Sequence, residues 1–138
     1  MRSEDDCSAD ISILLVEDDE TARTSLGRML SMKYPGITVY TAENGKNGLE
    51  LYREHVPELV ISDISMPQLN GIDMAKEIRA GDPRARIIFL SAHSETKYLH
   101  DAKEIGIPHY VLKPIDRHEL FAAIGSCLEE RLQSSTSY

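Results

Sequence analysis

No apolar run in this sequence approaches the roughly 20 residues needed to cross a bilayer. Positive charge is also scarce: 15 Lys and Arg stand against 23 Asp and Glu, a formal charge of -8. A nucleic-acid backbone wants a basic face, so nucleic acid is not expected as a direct partner, and neither is a membrane. Cysteine is limited to Cys7 and Cys127. Two such residues make no disulfide framework, and both read as free thiols in a reducing, cytoplasmic setting. Met1 to Asp10 is polar and acidic and lacks the apolar stretch of a secretory signal; it is expected to be a disordered tail. No Gly-x-Gly-x-x-Gly follows the first apolar run, which removes the usual signature of a dinucleotide-binding fold.

What is present fits one soluble domain: 138 residues, 41% hydrophobic and 28% charged, enough to bury a single sizeable core. Short apolar runs alternate with longer amphipathic stretches from Ile11 to Leu132. Ile11–Val16 is almost uniformly apolar and stops in acid, as a buried parallel strand does. Glu20 to about Lys33 places Ala22, Leu26, Met29 and Leu30 at helical spacing and ends at Pro35-Gly36. Ile37–Ala42 reads as a second strand, Asn44-Gly45 as a turn, and Gly48–His55 as a helix ended by Pro57. Leu59–Asp63 is a third strand. After a loop from Pro67 to Gly71, Ile72, Ala75 and Ile78 mark a helix. Arg86–Ser91, a helix from about Glu95 to Ile105, and His109–Leu112 follow. Asp116 is placed to cap a last helix running to about Leu132, with a frayed tail at 133–138. The implied fold is α/β: one doubly wound (βα)5 domain of the flavodoxin type, over residues 11–132. Its five parallel strands take the order 2-1-3-4-5, with helices on both faces.

In open α/β sheets ligands bind beyond the carboxyl ends of the strands, at the switch in strand order. Strand one ends in Glu17-Asp18-Asp19, strand three in Asp63, strand four in Ser91 and strand five in Lys113-Pro114. Clustered carboxylates repel unless a positive charge sits among them, and a hard divalent cation meets that need with oxygen ligands. Asp18 and Asp63 are the expected direct ligands of Mg²⁺, with Mn²⁺ able to substitute. The backbone carbonyl of Ser65 is a third, and Glu17 acts through a bound water. Asp19 is read as the residue that opens the turn into the following helix.

These residues carry a resemblance. Ile13-Leu14-Leu15-Val16-Glu17-Asp18-Asp19-Glu20, Ser62-Asp63-Ile64-Ser65-Met66-Pro67 through Asn70-Gly71, Leu90-Ser91-Ala92 and Tyr110-Val111-Leu112-Lys113-Pro114 together resemble the receiver domains of two-component response regulators. The resemblance implies that Asp63 is the nucleophile that accepts a phosphoryl group from a phosphohistidine donor, either a sensor histidine kinase or a histidine phosphotransfer protein. Lys113 would supply a point charge to the phosphoryl group, and the Lys113-Pro114 bond is a candidate cis peptide. Ser91 would be the switch hydroxyl and Tyr110 its aromatic partner, although a half-buried strand tyrosine is also common without switching. The domain would not be an enzyme in the ordinary sense but would catalyse its own phosphorylation and slow autodephosphorylation. The face formed by the fourth helix, fifth strand and last helix would signal to an output domain or protein, or form a homodimer.

Ser65 and His93 lie two residues beyond Asp63 and Ser91, positions that in the family flank the path of the hydrolytic water. They are expected to set the lifetime of the acyl phosphate, unless His93 is only an exposed loop residue. His55, His100, His109 and His118 show no metal spacing. The rival from another class is a metal-dependent hydrolase of the aspartyl-phosphate kind. It needs a second Asp shortly after the nucleophile, where this chain has Ile64-Ser65, and a cap for which there is no spare length.

Overall fold

The computed structural model describes residues 11–66, 68–92, 96–107 and 109–136. The elements alternate strictly: β1 (Ser12–Val16), α1 (Glu20–Lys33), β2 (Thr38–Ala42), α2 (Gly45–His55), β3 (Leu59–Asp63), α3 (Gly71–Gly81), β4 (Ile87–Ser91), α4 (Thr96–Glu104), β5 (Tyr110–Leu112) and α5 (Arg117–Thr136). All strand pairs are parallel, in the order β2-β1-β3-β4-β5. The tail Met1–Asp10 with Cys7, and the residues Pro67, His93 and Pro108, lie outside the described residues.

The period of two along each strand divides the core into two layers. Leu14, Val16, Val60, Ile87 and Phe89 face α2, α3 and α4, where Tyr52, Met74, Ile78 and Ala102 meet them. Ile13, Leu15, Ile61, Ile88 and Leu90 face the other way, onto Leu26 and Leu30 of α1 and Leu120 and Ile124 of α5. Because both faces are covered, β3 and β4 are buried at every position, which is why each opens on an apolar run, Leu59–Ile61 and Ile87–Leu90. Leu120 and Ile124 of the last helix are therefore core contacts, and buried Cys127 belongs to the same layer.

Caps set the helix starts. Asp19 accepts from the Ala22 N–H at 2.8 Å to open α1, and Asp116 accepts from the His118 N–H at 2.7 Å to open α5. Asn44 does the same for α2, accepting from the Asn47 N–H at 2.8 Å. The Asn44-Gly45 pair is thus a cap and first helical residue, and α2 starts earlier than the expected Gly48. At its other end Val56 adopts φ 43° and ψ 62°, a left-handed geometry that a β-branched side chain resists, just before Pro57. Backbone geometry keeps α5 helical to Thr136, past the expected boundary at Leu132.

Candidate functional site

The order β2-β1-β3 places the topological switch between β1 and β3, and both strands end there in acid. Glu17, Asp18 and Asp63 bring one carboxylate oxygen each within 4.8 Å of one another. Glu17 and Asp63 are 2% and 5% exposed, whereas Asp18 faces solvent. Lys113, from the residue after β5, reaches across the end of the sheet. Its Nζ lies 3.1 Å from Asp63 Oδ1 and 3.6 Å from Glu17 Oε1. Asp63 Oδ1 also accepts from the Ile64 N–H at 3.0 Å. The Lys113-Pro114 peptide is cis.

Burial pushes the Glu17 carboxyl up to about 7, aided by the charge of Asp63 and opposed by the Asp19 N–H and by Lys113. Burial works against the Lys113 ammonium, but the hydrogen bond and charge of Asp63, then Glu17, outweigh it and hold its pKa above the ordinary value. One cation among three carboxylates leaves the cluster short of positive charge. Glu17 Oε1 is buried and, among the described residues, accepts no hydrogen bond beyond the 3.6 Å ion pair with Lys113, a need that a metal-bound water would meet. A hard, oxygen-seeking divalent ion fits this donor set.

The loop between β3 and α3 is held from several sides. Ser62 Oγ donates to the Asp63 carbonyl at 2.8 Å, and the Gly71 N–H to the Ile64 carbonyl at 2.7 Å. A Cβ at Gly71 would overlap the Asp63 carbonyl oxygen, and one at Gly45 would overlap the Leu69 carbonyl oxygen. Only glycine lets these chains approach so closely. Gly71→Ala should therefore displace the Asp63 loop, costing about 1–3 kcal/mol by analogy with overpacked cores and slowing any chemistry at Asp63. Gly81→Ala, which meets open space, is the control. Equal denaturation midpoints for the two variants would refute this account of the loop.

Ser91 ends β4 and Tyr110 opens β5. Ser91 is fully buried, and its hydroxyl donates to the carbonyl of its neighbour Ala92 at 3.1 Å. Its own carbonyl accepts from the Lys113 N–H at 2.8 Å, tying β4 to the residue that carries the ammonium. Tyr110 is 43% exposed. Ser65 is exposed in the Asp63 loop. One contact was missed in the sequence: Arg23, on the first turn of α1, donates to the Glu17 carbonyl at 2.9 Å. Its only signal was a cation one helical turn after the acidic strand end.

A family model of the response regulator receiver domain matches residues 13–125. The chain belongs to this family. Chemotaxis protein CheY of Bacillus subtilis is 37% identical to the receiver domain over 116 residues, which cover 84% of this chain and 96% of that protein. An uncharacterized response regulatory protein of Staphylococcus epidermidis is 37% identical over 78% of this chain but only 43% of its own length. The receiver domain thus spans less than half of that relative. Among solved structures, a response regulator receiver domain protein from Clostridium thermocellum superposes with a TM-score of 0.82 at 28% identity, covering 88% of this chain and 96% of that one. The N-terminal domain of an uncharacterized Wolinella succinogenes protein gives 0.81 at 35% identity, over 90% of this chain and 98% of that chain.

Proposed function

We propose that this receiver domain accepts a phosphoryl group on Asp63 from a phosphohistidine donor and thereby switches a protein-binding face. The observation that carries the reading is the convergence of Asp63, Glu17, Asp18 and Lys113 at the strand-order switch. Asp63 forms the new bond to phosphorus as the bond to the donor's imidazole breaks. Asp18, Asp63 and the Ser65 carbonyl would hold Mg²⁺, with Glu17 reaching it through a water. When bound, the ion supplies charge neutralisation and alignment for in-line transfer. Lys113 pairs with Asp63 beforehand and afterwards contributes its charge to the phosphoryl oxygens.

The hydroxyl of Ser91 must then leave the Ala92 carbonyl to reach a phosphoryl oxygen, and the exposed Tyr110 ring moves inward with it. Phosphorylation selects that arrangement, and the face made by α4, β5 and α5 reads it out. Ser65 and His93 tune hydrolysis; an unchanged dephosphorylation rate in His93→Ala would remove His93 from that role. The receiver unit spans 11–132, works in the cytoplasm, and pairs with a sensor histidine kinase or phosphotransfer protein and with an output domain, protein or second copy.

The direct test is intact mass after incubation with acetyl phosphate. One phosphoryl group should be gained with Mg²⁺ and none after chelation. No gain, together with no binding of beryllofluoride, would overturn the reading.

A further inference from the structure

Next to β1, β2 forms one edge of the sheet, and its outer side is not used by the site. In a parallel ladder alternate residues turn both backbone groups to the same neighbour. The Thr38 N–H donates to the Ile11 carbonyl at 3.2 Å, and the Ala42 carbonyl accepts from the Glu17 N–H at 3.0 Å. Thr38, Tyr40 and Ala42 therefore face β1, and the N–H and C=O groups of Val39 and Thr41 point outward. Among the described residues nothing pairs with those outward groups. The usual edge protections are missing as well: β2 is Thr-Val-Tyr-Thr-Ala, without lysine, proline or an inward charge.

Two open clefts flank this edge. On the α1 side a cleft of about 420 Å³ includes Val39, Thr41, Arg23 and Arg28. Towards α2 one of about 430 Å³ includes Thr41, Glu43, Glu50 and Glu54, with Arg23 also on its border. The edge is thus a groove with a cationic wall on the α1 side and a predominantly acidic wall on the α2 side, Arg23 lying between the two. We propose that the open edge of β2 takes up an extended segment of a partner protein by strand addition, with acidic side chains towards α1 and basic ones towards α2. Successive side chains of a strand point to opposite faces, so the segment alternates in charge.

A second copy of this chain does not fit. Antiparallel pairing of β2 with itself, about a two-fold axis through the sheet, sets α1 against α1 and α2 against α2, so like-charged walls meet. Parallel pairing about a two-fold axis along the strands puts each outward N–H opposite its own copy, which makes no hydrogen bonds. A heterologous segment meets neither obstacle.

The test is titration of the ¹⁵N-labelled protein with a short synthetic peptide of alternating Asp and Lys. A peptide of the same composition in two blocks is the control. Amide shifts should centre on Val39 and Thr41, with a Kd on the order of 0.1–1 mM for so few backbone bonds. Thr41→Pro removes an N–H that the ladder to β1 does not use, a substitution edge strands tolerate, and should weaken binding by about tenfold or more. The double variant Glu50→Lys, Glu54→Lys leaves the backbone intact and should weaken it several-fold. No shift at saturating peptide, equal binding of the block control, or full binding by both variants would overturn the proposal.

Discussion

Asp63→Asn will take up no phosphoryl group from acetyl phosphate and Mg²⁺ under conditions in which the wild type gains one. The substitution keeps the shape and the acceptor for the Ile64 N–H, which lies 3.0 Å from Asp63 Oδ1. It removes the charge. A neutral amide oxygen is a poor nucleophile towards phosphorus, and nothing nearby could activate it. Loss of the anion also strips the proposed Mg²⁺ site of one of the three clustered carboxylates, so divalent-ion affinity should fall by about tenfold or more. Stability should change much less. Removing Asp63 relieves repulsion with Glu17 and Asp18, but it deprives Lys113 of the partner at 3.1 Å. These effects oppose each other, so the metal-free midpoint should move by about 1 kcal/mol or less. A folded variant without an adduct assigns the chemistry to Asp63. An adduct forming at the wild-type rate would place it on another residue and end the assignment.

Much of this was legible because buried parallel strands leave little choice of residue. Ile13–Val16, Leu59–Ile61 and Ile87–Leu90 must be apolar on both faces, so the polar residues that follow, Glu17, Ser62-Asp63 and Ser91, lie at the strand ends. In this fold strand ends are where the chemistry collects, and Glu17, Asp63 and Lys113 could be gathered on one rim from one dimension. The sequence was mute where a long-range contact decides a local outcome. Gly45 begins α2 where the Leu69 carbonyl, on another loop, leaves no space for a Cβ. Pro57 announced the end of α2, but not that Val56 would turn left-handed to get there. The rotamer of Ser91 was equally hidden, since a hydroxyl chooses among nearby acceptors and here takes the Ala92 carbonyl. Parity along β5 buries Val111, whereas Tyr110 is exposed.

Lys113→Met should change three observables in directions that no single structural defect would produce together. Phosphoryl uptake should slow by about a hundredfold or more, since a charge aimed at the transferred group is worth several kcal/mol in the transition state. Affinity for Mg²⁺ should rise by about threefold to tenfold, because the ammonium at 3.1 Å from Asp63 and 3.6 Å from Glu17 repels any cation placed among those carboxylates. Stability without metal should fall by about 1–3 kcal/mol. That is less than a fully buried pair would lose, because the Lys113 side chain is 34% exposed and water screens part of the interaction. The alkaline limb of stability should change as well. The folded pKa of Lys113 is raised above its ordinary value of 10.5. The pairing therefore contributes in full below 10.5 and is lost as pH climbs through the higher folded value, a decline that Lys113→Met should not show. Slower uptake with weaker Mg²⁺ binding would mean that the site had collapsed. Slower uptake with tighter binding isolates the charge of Lys113 as the catalytic contribution.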